Sequence, residues 1–152
     1  MNDPRARKVS QAVLMATADD TEASFYEALQ TGDLEKMMSV WADDDEIACV
    51  HPGGPRAVGP IAVRAAFEAV LTGGSVHVTV QHVRRMEQPG FAVHHVAEHI
   101  QAMTPQGMQT AYVMATNVYV RTAEGWRMVV HHASPGLPQE LPDIVEPRAT
   151  LH

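Results

Sequence analysis

Near residue 75 the apolar residues of this chain stop recurring every three to four positions and begin to alternate. That switch constrains the fold more than any other feature, because period two belongs to half-buried strands and period 3.6 to helices. Four long alternating stretches follow, at 75–87, 91–102, 107–121 and 126–134. Gln88-Pro89-Gly90, Thr104-Pro105-Gln106-Gly107 and Thr122-Ala123-Glu124-Gly125 separate them, each short enough to close a hairpin. Antiparallel strands of this length curl or bulge.

The half before the switch punctuates itself as helices. Asp19 with Glu22 reads as a capping box, and Gly32 ends the helix that follows, over about 20–31. Asp33 caps a second helix over 34–41, with Leu34, Met37, Met38 and Trp41 at helical spacing. Glu46 to Val50 reads as a short strand with Ile47, Cys49 and His51 on one face. Pro52-Gly53-Gly54-Pro55 is a loop, Pro60 begins a third helix, and Thr72-Gly73-Gly74 stops it.

Helices first and consecutive hairpins afterwards give an α+β architecture. Three helices pack in the concave face of a curled, mostly antiparallel sheet and leave a cone-shaped pocket for a small apolar molecule. Residues 1–18 form an N-terminal extension compatible with helix, 19–134 the domain, and 135–152 a proline-rich C-terminal arm. Pro135, Pro138, Pro142 and Pro147 keep that arm from adding a normal strand.

Composition narrows the function. The 152 residues carry 18 acidic and 11 basic side chains, a net charge of -7, with no run of Lys or Arg to follow a phosphate backbone. Nucleic acid is therefore not an expected partner, and no stretch is long enough to span a membrane. Cys49, the single cysteine, excludes an intrachain disulfide and suits a reducing cytoplasm. Arg5, Arg7 and Lys8 before Ala12-Val13-Leu14-Met15-Ala16 imitate a signal peptide, but the apolar run is too short to predict export.

Individual residues have competing roles. His95 and His99 have the i, i+4 spacing of helical zinc sites, yet on a strand they stand ~14 Å apart and cannot share an ion. Only a cross-strand grouping of His82, His95 or His99 with His132 remains, and no metal or cofactor is assigned. His77, Thr79 and Gln81, with His94 and Glu98, suggest a repeating polar face for solvent or for a second copy. Trp41 and Trp126 read as core-closing, and Cys49 as a small buried thiol.

Several segments carry a resemblance: Phe25-Tyr26-Glu27-Ala28-Leu29, Thr31-Gly32-Asp33-Leu34, Val40-Trp41-Ala42-Asp43-Asp44, and Val50-His51-Pro52-Gly53-Gly54 leading to Gly59. The last runs from Gly125-Trp126-Arg127 to His131-His132-Ala133-Ser134. With this element order the chain resembles the SnoaL-like and ketosteroid-isomerase-like branch of the nuclear-transport-factor-2-like superfamily. The resemblance places His51 where that branch has its aspartate base. It places Phe25, beside Tyr26, where the branch has a tyrosine, and Asn117 where it has a protonated aspartate. None of the three residue types is retained, which argues against steroid isomerisation itself.

A histidine can still act as base near neutral pH, and an amide N–H can stabilise an oxyanion. The resemblance thus implies His51 and Asn117 as catalytic residues, with Phe25, Tyr26, Trp41, Cys49, Tyr112 and His132 as ligand contacts. It implies acid/base chemistry of isomerase or hydrolase/cyclase type on a small apolar carbonyl compound. The other expectation is a non-catalytic ligand-binding or dimerisation module, and a homodimer through the sheet is implied in either case.

Overall fold

The computed structural model describes residues 15–73 and 76–147. Residues 1–14, which hold most of the N-terminal extension and of its signal-like stretch, lie outside the described residues, as do Gly74, Ser75 and the last five residues of the arm.

Helix α1 spans Ala18–Thr31. Its capping box is Thr17 with Asp20, two residues earlier than expected: Thr17 Oγ1 accepts from the Asp20 amide at 3.1 Å, and Asp20 Oδ2 accepts from the Thr17 amide at 3.2 Å. Glu22 is thereby freed from capping and turns inward. Gly32 closes α1 in the left-handed region, φ 69°, and Asp33 caps α2, Leu34–Ser39, both as the sequence predicts. Strand β1, Ala48–Val50, returns through the Pro52–Pro55 loop as β2, Arg56–Val58, a strand the sequence reading did not assign. Pro60 opens α3, which runs to Leu71.

The long strands are β3 (Val76–Glu87), β4 (Phe91–Thr104), β5 (Gly107–Thr122) and β6 (Gly125–Gly136). They form one curled, unclosed sheet in the order β2-β1-β6-β5-β4-β3, antiparallel throughout except that β1 runs parallel to β6. Two irregularities break the register, at Gln81/Arg84 and at Val118/Tyr119. His82 lies in the first, with φ 51°, the one described non-glycine residue in the left-handed region.

The three helices cover one face of the sheet, with Phe25, Met37, Val63 and Phe67 fully buried against Tyr119 and Met128. His94 and Glu98 belong to this covered face, which corrects the expectation that they share an exposed polar stripe with His77, Thr79 and Gln81. The register shows why: Thr79 and His77 lie opposite His99 and Gln101, one residue out of phase with Glu98.

The arm is corrected at its start, where β6 continues through Pro135 and Gly136. Beyond His132, β6 no longer has β1 beside it and is locally an edge, where a strand tolerates proline. A short 3-10 turn, Pro138–Glu140, then leads to Leu141, which is buried, and to residues 143–146 lying over the uncovered face. No described helix is long and apolar enough to cross a membrane.

Candidate functional site

Register assembles the site. Cys49 on β1 lies opposite His131 on β6, His131 opposite Asn117 on β5, and Asn117 opposite His94 on β4. Four polar side chains from four adjacent strands therefore stand in one row under the helices, at the ~4.8 Å interstrand spacing. Helix α1 supplies Glu22 and Tyr26 from above, one turn apart and on the same face.

His131, Asn117, His94, Glu22 and Tyr26 join Tyr119 and Glu98 in one hydrogen-bond network. Glu22 Oε2 accepts from the Tyr119 hydroxyl at 2.7 Å, from Asn117 Nδ2 at 3.5 Å, and lies 2.9 Å from His94 Nδ1. The Tyr26 hydroxyl donates to Glu98 Oε2 at 2.6 Å and accepts from Asn117 Nδ2 at 3.0 Å. His131 Nδ1 donates to Asn117 Oδ1 at 2.5 Å, the tautomer that this acceptor selects. All seven residues are buried.

Burial sets the protonation states. The Glu98 carboxyl is pushed up to about 7 by desolvation, against the Tyr26 hydrogen bond that pulls it down. Burial raises the Tyr26 hydroxyl well above the usual phenol range, with Glu98 adding to it, and raises Tyr119 likewise beside Glu22. His131 is brought down to about 3 by burial, then by His51 and His132, so it is a neutral ring. Burial also lowers His51. The Cys49 thiol is pushed up to about 12 by burial and Glu98, so it stays protonated and is a poor nucleophile.

His51 is half-buried at the end of β1, its Nε2 3.6 Å from Cys49 Sγ and its ring 6.2 Å from that of His131. Two apolar rings occupy the space expected to hold a ligand. Phe67 packs edge-on against His51 at 4.8 Å, and Phe25 packs against His131 at 4.8 Å. Trp41 stands behind Phe67, with its indole N–H buried and unpartnered. A cavity of about 300 Å³ opens on the other side of Trp41, between Met38, Ile47, Pro60 and Arg64.

Of the expected residues, His51, Asn117, Phe25, Tyr26, Trp41 and Cys49 are thus gathered around one region. Tyr112 and His132 are not. Tyr112 stacks on His99 at 4.9 Å on the uncovered face, five residues from Asn117 and therefore opposite in parity. His132 is exposed and lines a groove of about 970 Å³ on that face with His82, Arg84 and His95, partly roofed by residues 143–146. The bulge at Val118/Tyr119 decides this. Without it Asn117 would face Val130, and His132 rather than His131 would point inward.

Glu22, Tyr119 and His131 were missed, and His94 and Glu98 were placed on the wrong face. Counting register outward from the Pro105-Gln106 turn sets His94 opposite Asn117 and would have found the first pair. Nothing local announces the bulge that brings in His131.

A SnoaL-like domain profile matches residues 19–138. Among solved structures, a candidate calcium/calmodulin-dependent protein kinase type II association domain from Thiobacillus denitrificans is 35% identical, with TM-score 0.74, over 82% of this chain and 98% of that one. A candidate dehydratase of the NTF2-like family from Streptomyces avermitilis is 28% identical, with TM-score 0.72, over 87% and 98%. A ketosteroid isomerase-like protein from Erwinia carotovora atroseptica shares the fold at 16% identity, with TM-score 0.65, over 84% and 98%. No curated protein matches. The profile spans most of the chain and the row of inward polar residues falls within it, so the protein belongs to the SnoaL-like domain family.

Proposed function

We propose that the protein is an acid/base enzyme of isomerase or hydrolase/cyclase type acting on a small apolar carbonyl compound. The carrying observation is the buried network of Tyr26, Glu98, Asn117 and His131. A carboxyl poised at about 7 and hydrogen-bonded to a tyrosine is a proton donor and acceptor matched to neutral pH. Sequestering such groups from water is a cost that stability alone gives little reason to bear.

In this reading His51, a neutral base at the half-buried end of β1, takes the proton. The Tyr26 hydroxyl, released from Glu98 when that carboxyl is protonated, and Asn117 Nδ2, turned from Glu22, donate toward the oxygen on which charge develops. A substrate reaches them by displacing the Phe67 ring that packs beside His51 and His131. The likeness to a candidate dehydratase supports small-molecule chemistry in this family without naming the compound.

Mass spectrometry of compounds retained by the purified protein identifies the ligand class. Deuterium exchange beside the carbonyl of that compound, or of a panel of cyclic ketones, then tests the chemistry. His51→Ala is expected to slow exchange ~10²–10⁴-fold, the usual worth of a general base. Exchange at the wild-type rate in that variant removes the assignment of His51.

A second reading, a non-catalytic ligand-binding or dimerisation module, is favoured by the 35% identity to a candidate association domain together with the open outer groove. Sedimentation of the wild type and of Thr116→Arg tests it. The expected homodimer through the sheet is split by a charge placed on the outer face, and a monomeric wild type rules that homodimer out.

A further inference from the structure

At the end of the polar row farthest from His51, one ring nitrogen is unaccounted for. His94 is completely buried, and its Nδ1 is held by Glu22 Oε2 at 2.9 Å. Its Nε2 has no hydrogen-bond partner. That nitrogen faces two carboxylates, with Asp19 Oδ1 at 3.9 Å and Glu87 Oε1 at 3.8 Å, both too far to accept a hydrogen bond. One ligand atom from each of the three residues lies within 4.8 Å of the others.

The geometry points to a divalent transition-metal site, with His94 Nε2, Asp19 and Glu87 as ligands. Glu22 accepting from Nδ1–H fixes the tautomer that turns the Nε2 lone pair outward, the carboxylate–histidine–metal arrangement of many metal centres. Ligand bonds of ~2.0–2.2 Å bring donor atoms within ~3.0–3.5 Å of one another, so closure shortens the separations by at most ~2 Å. Asp19 and Glu87 are more than half exposed and free to supply it, while the buried His94 stays where it is.

Charge agrees. Glu22, Asp19 and Glu87 surround the His94 ring, and Arg85, whose Nε donates to Asp19 Oδ1 at 2.9 Å, supplies an opposing charge. With the ring unprotonated, as a metal ligand must be, the formal balance of these side chains is two negative charges, that of one divalent cation. Arg85 also competes for Asp19, so binding shifts or shares that ion pair. One imidazole with two carboxylates suits zinc or manganese better than calcium, and leaves coordination positions open. Asp19 and Glu87 also line a cavity of about 270 Å³ with Thr17, Gln88, Ala92 and Trp126, which gives those positions room for water or a small anionic ligand. The site does not depend on the chemistry proposed for His51.

The test is calorimetric titration of ZnCl2, and separately MnCl2, into untagged, EDTA-stripped protein. Wild type is compared with the Asp19→Asn/Glu87→Gln double variant, whose changes are exposed and leave the core intact. One site per chain is expected, about tenfold or more weaker in the double variant. Manganese is expected to broaden the NMR signals of the His94 ring and of the Ala18 and Ala92 methyls. Equal binding by both proteins, broadening centred instead on His82, His95 or His132, or no binding with Nε2 of His94 found protonated, overturns the site.

Discussion

Adjacent residues on the same strands meet opposite fates on the two faces of the sheet. His94 and His95, Asn117 and Thr116, His131 and His132 are sequence neighbours. The first of each pair is buried in a hydrogen-bond network, while His95 and His132 are exposed and Thr116 is half-buried. The inner face has polar side chains with partners at 2.5–3.5 Å and aromatic rings between them. The outer face has a wide groove with the chain's own arm across part of it. Residue type therefore says little here, and facing direction says nearly everything.

The strongest way to break this comparison is to empty the inner face. Phe67→Ala is expected to cost ~3–5 kcal/mol in urea unfolding, whereas Phe91→Ala on the outer face, already 41% exposed, costs less than ~1 kcal/mol. A small aromatic ligand added to Phe67→Ala should restore part of the loss by filling the space left beside His51 and Phe25. Comparable losses in the two variants would mean that Phe67 is not packed as described.

Next in size is Asn117→Ala, which leaves the buried His131 Nδ1 without its acceptor and takes one donor each from Tyr26 and Glu22, and is expected to cost ~2–3 kcal/mol. The inner network also predicts a pH signature. His131 is held at about 3 against 6.5 when unfolded, so its contribution is lost as pH falls from 6.5 toward 3. Glu98 is raised from 4.5 to about 7, so its contribution is full below 4.5 and is lost as pH rises through 7. Between 4.5 and 6.5 the two slopes oppose each other. Glu98→Gln removes one of them, and stability should then fall ~1.4 kcal/mol per pH unit on acidification below 6.5. An unchanged pH profile in Glu98→Gln would show that the pair is not balanced in this way.

The smallest effect belongs to the outer face. Thr116→Ala should change unfolding by no more than ~0.5 kcal/mol. A larger loss that grows on dilution would place Thr116 in a contact between copies of the chain.

The elements read readily from sequence where the cause is local. Gly32, Asp33 and Pro60 mark helix ends through their own backbone chemistry, and the alternating runs between short turns locate β3 to β6 to within a few residues. What was not legible is non-local. Three-residue β2 carries no periodicity of its own, and β1 gives no sign that its partner is β6. The site followed the same rule. Cys49 and His51 lie on the inner side as their shared strand face suggests, and Phe25, Tyr26 and Asn117 lie there as the resemblance implies, whereas choosing His131 over His132 required a bulge visible only in the paired strand. Glu22 was hidden by a spacing that imitates a cap.

The parallel pairing of β1 with β6 has a consequence for how the molecule assembles. Val50 meets His132 only after β3, β4 and β5 have been traversed, so the first strand waits for the last before it has an edge to join. During synthesis the helices and the end of β1 that carries His51 emerge long before the surface they require. Closure of that long loop is a late, entropically expensive step, and the polar row is completed in the same event. A nascent or stalled chain lacking β6 would hold Cys49 and His51 without His131, with the apolar faces of its helices open to water and to chaperones.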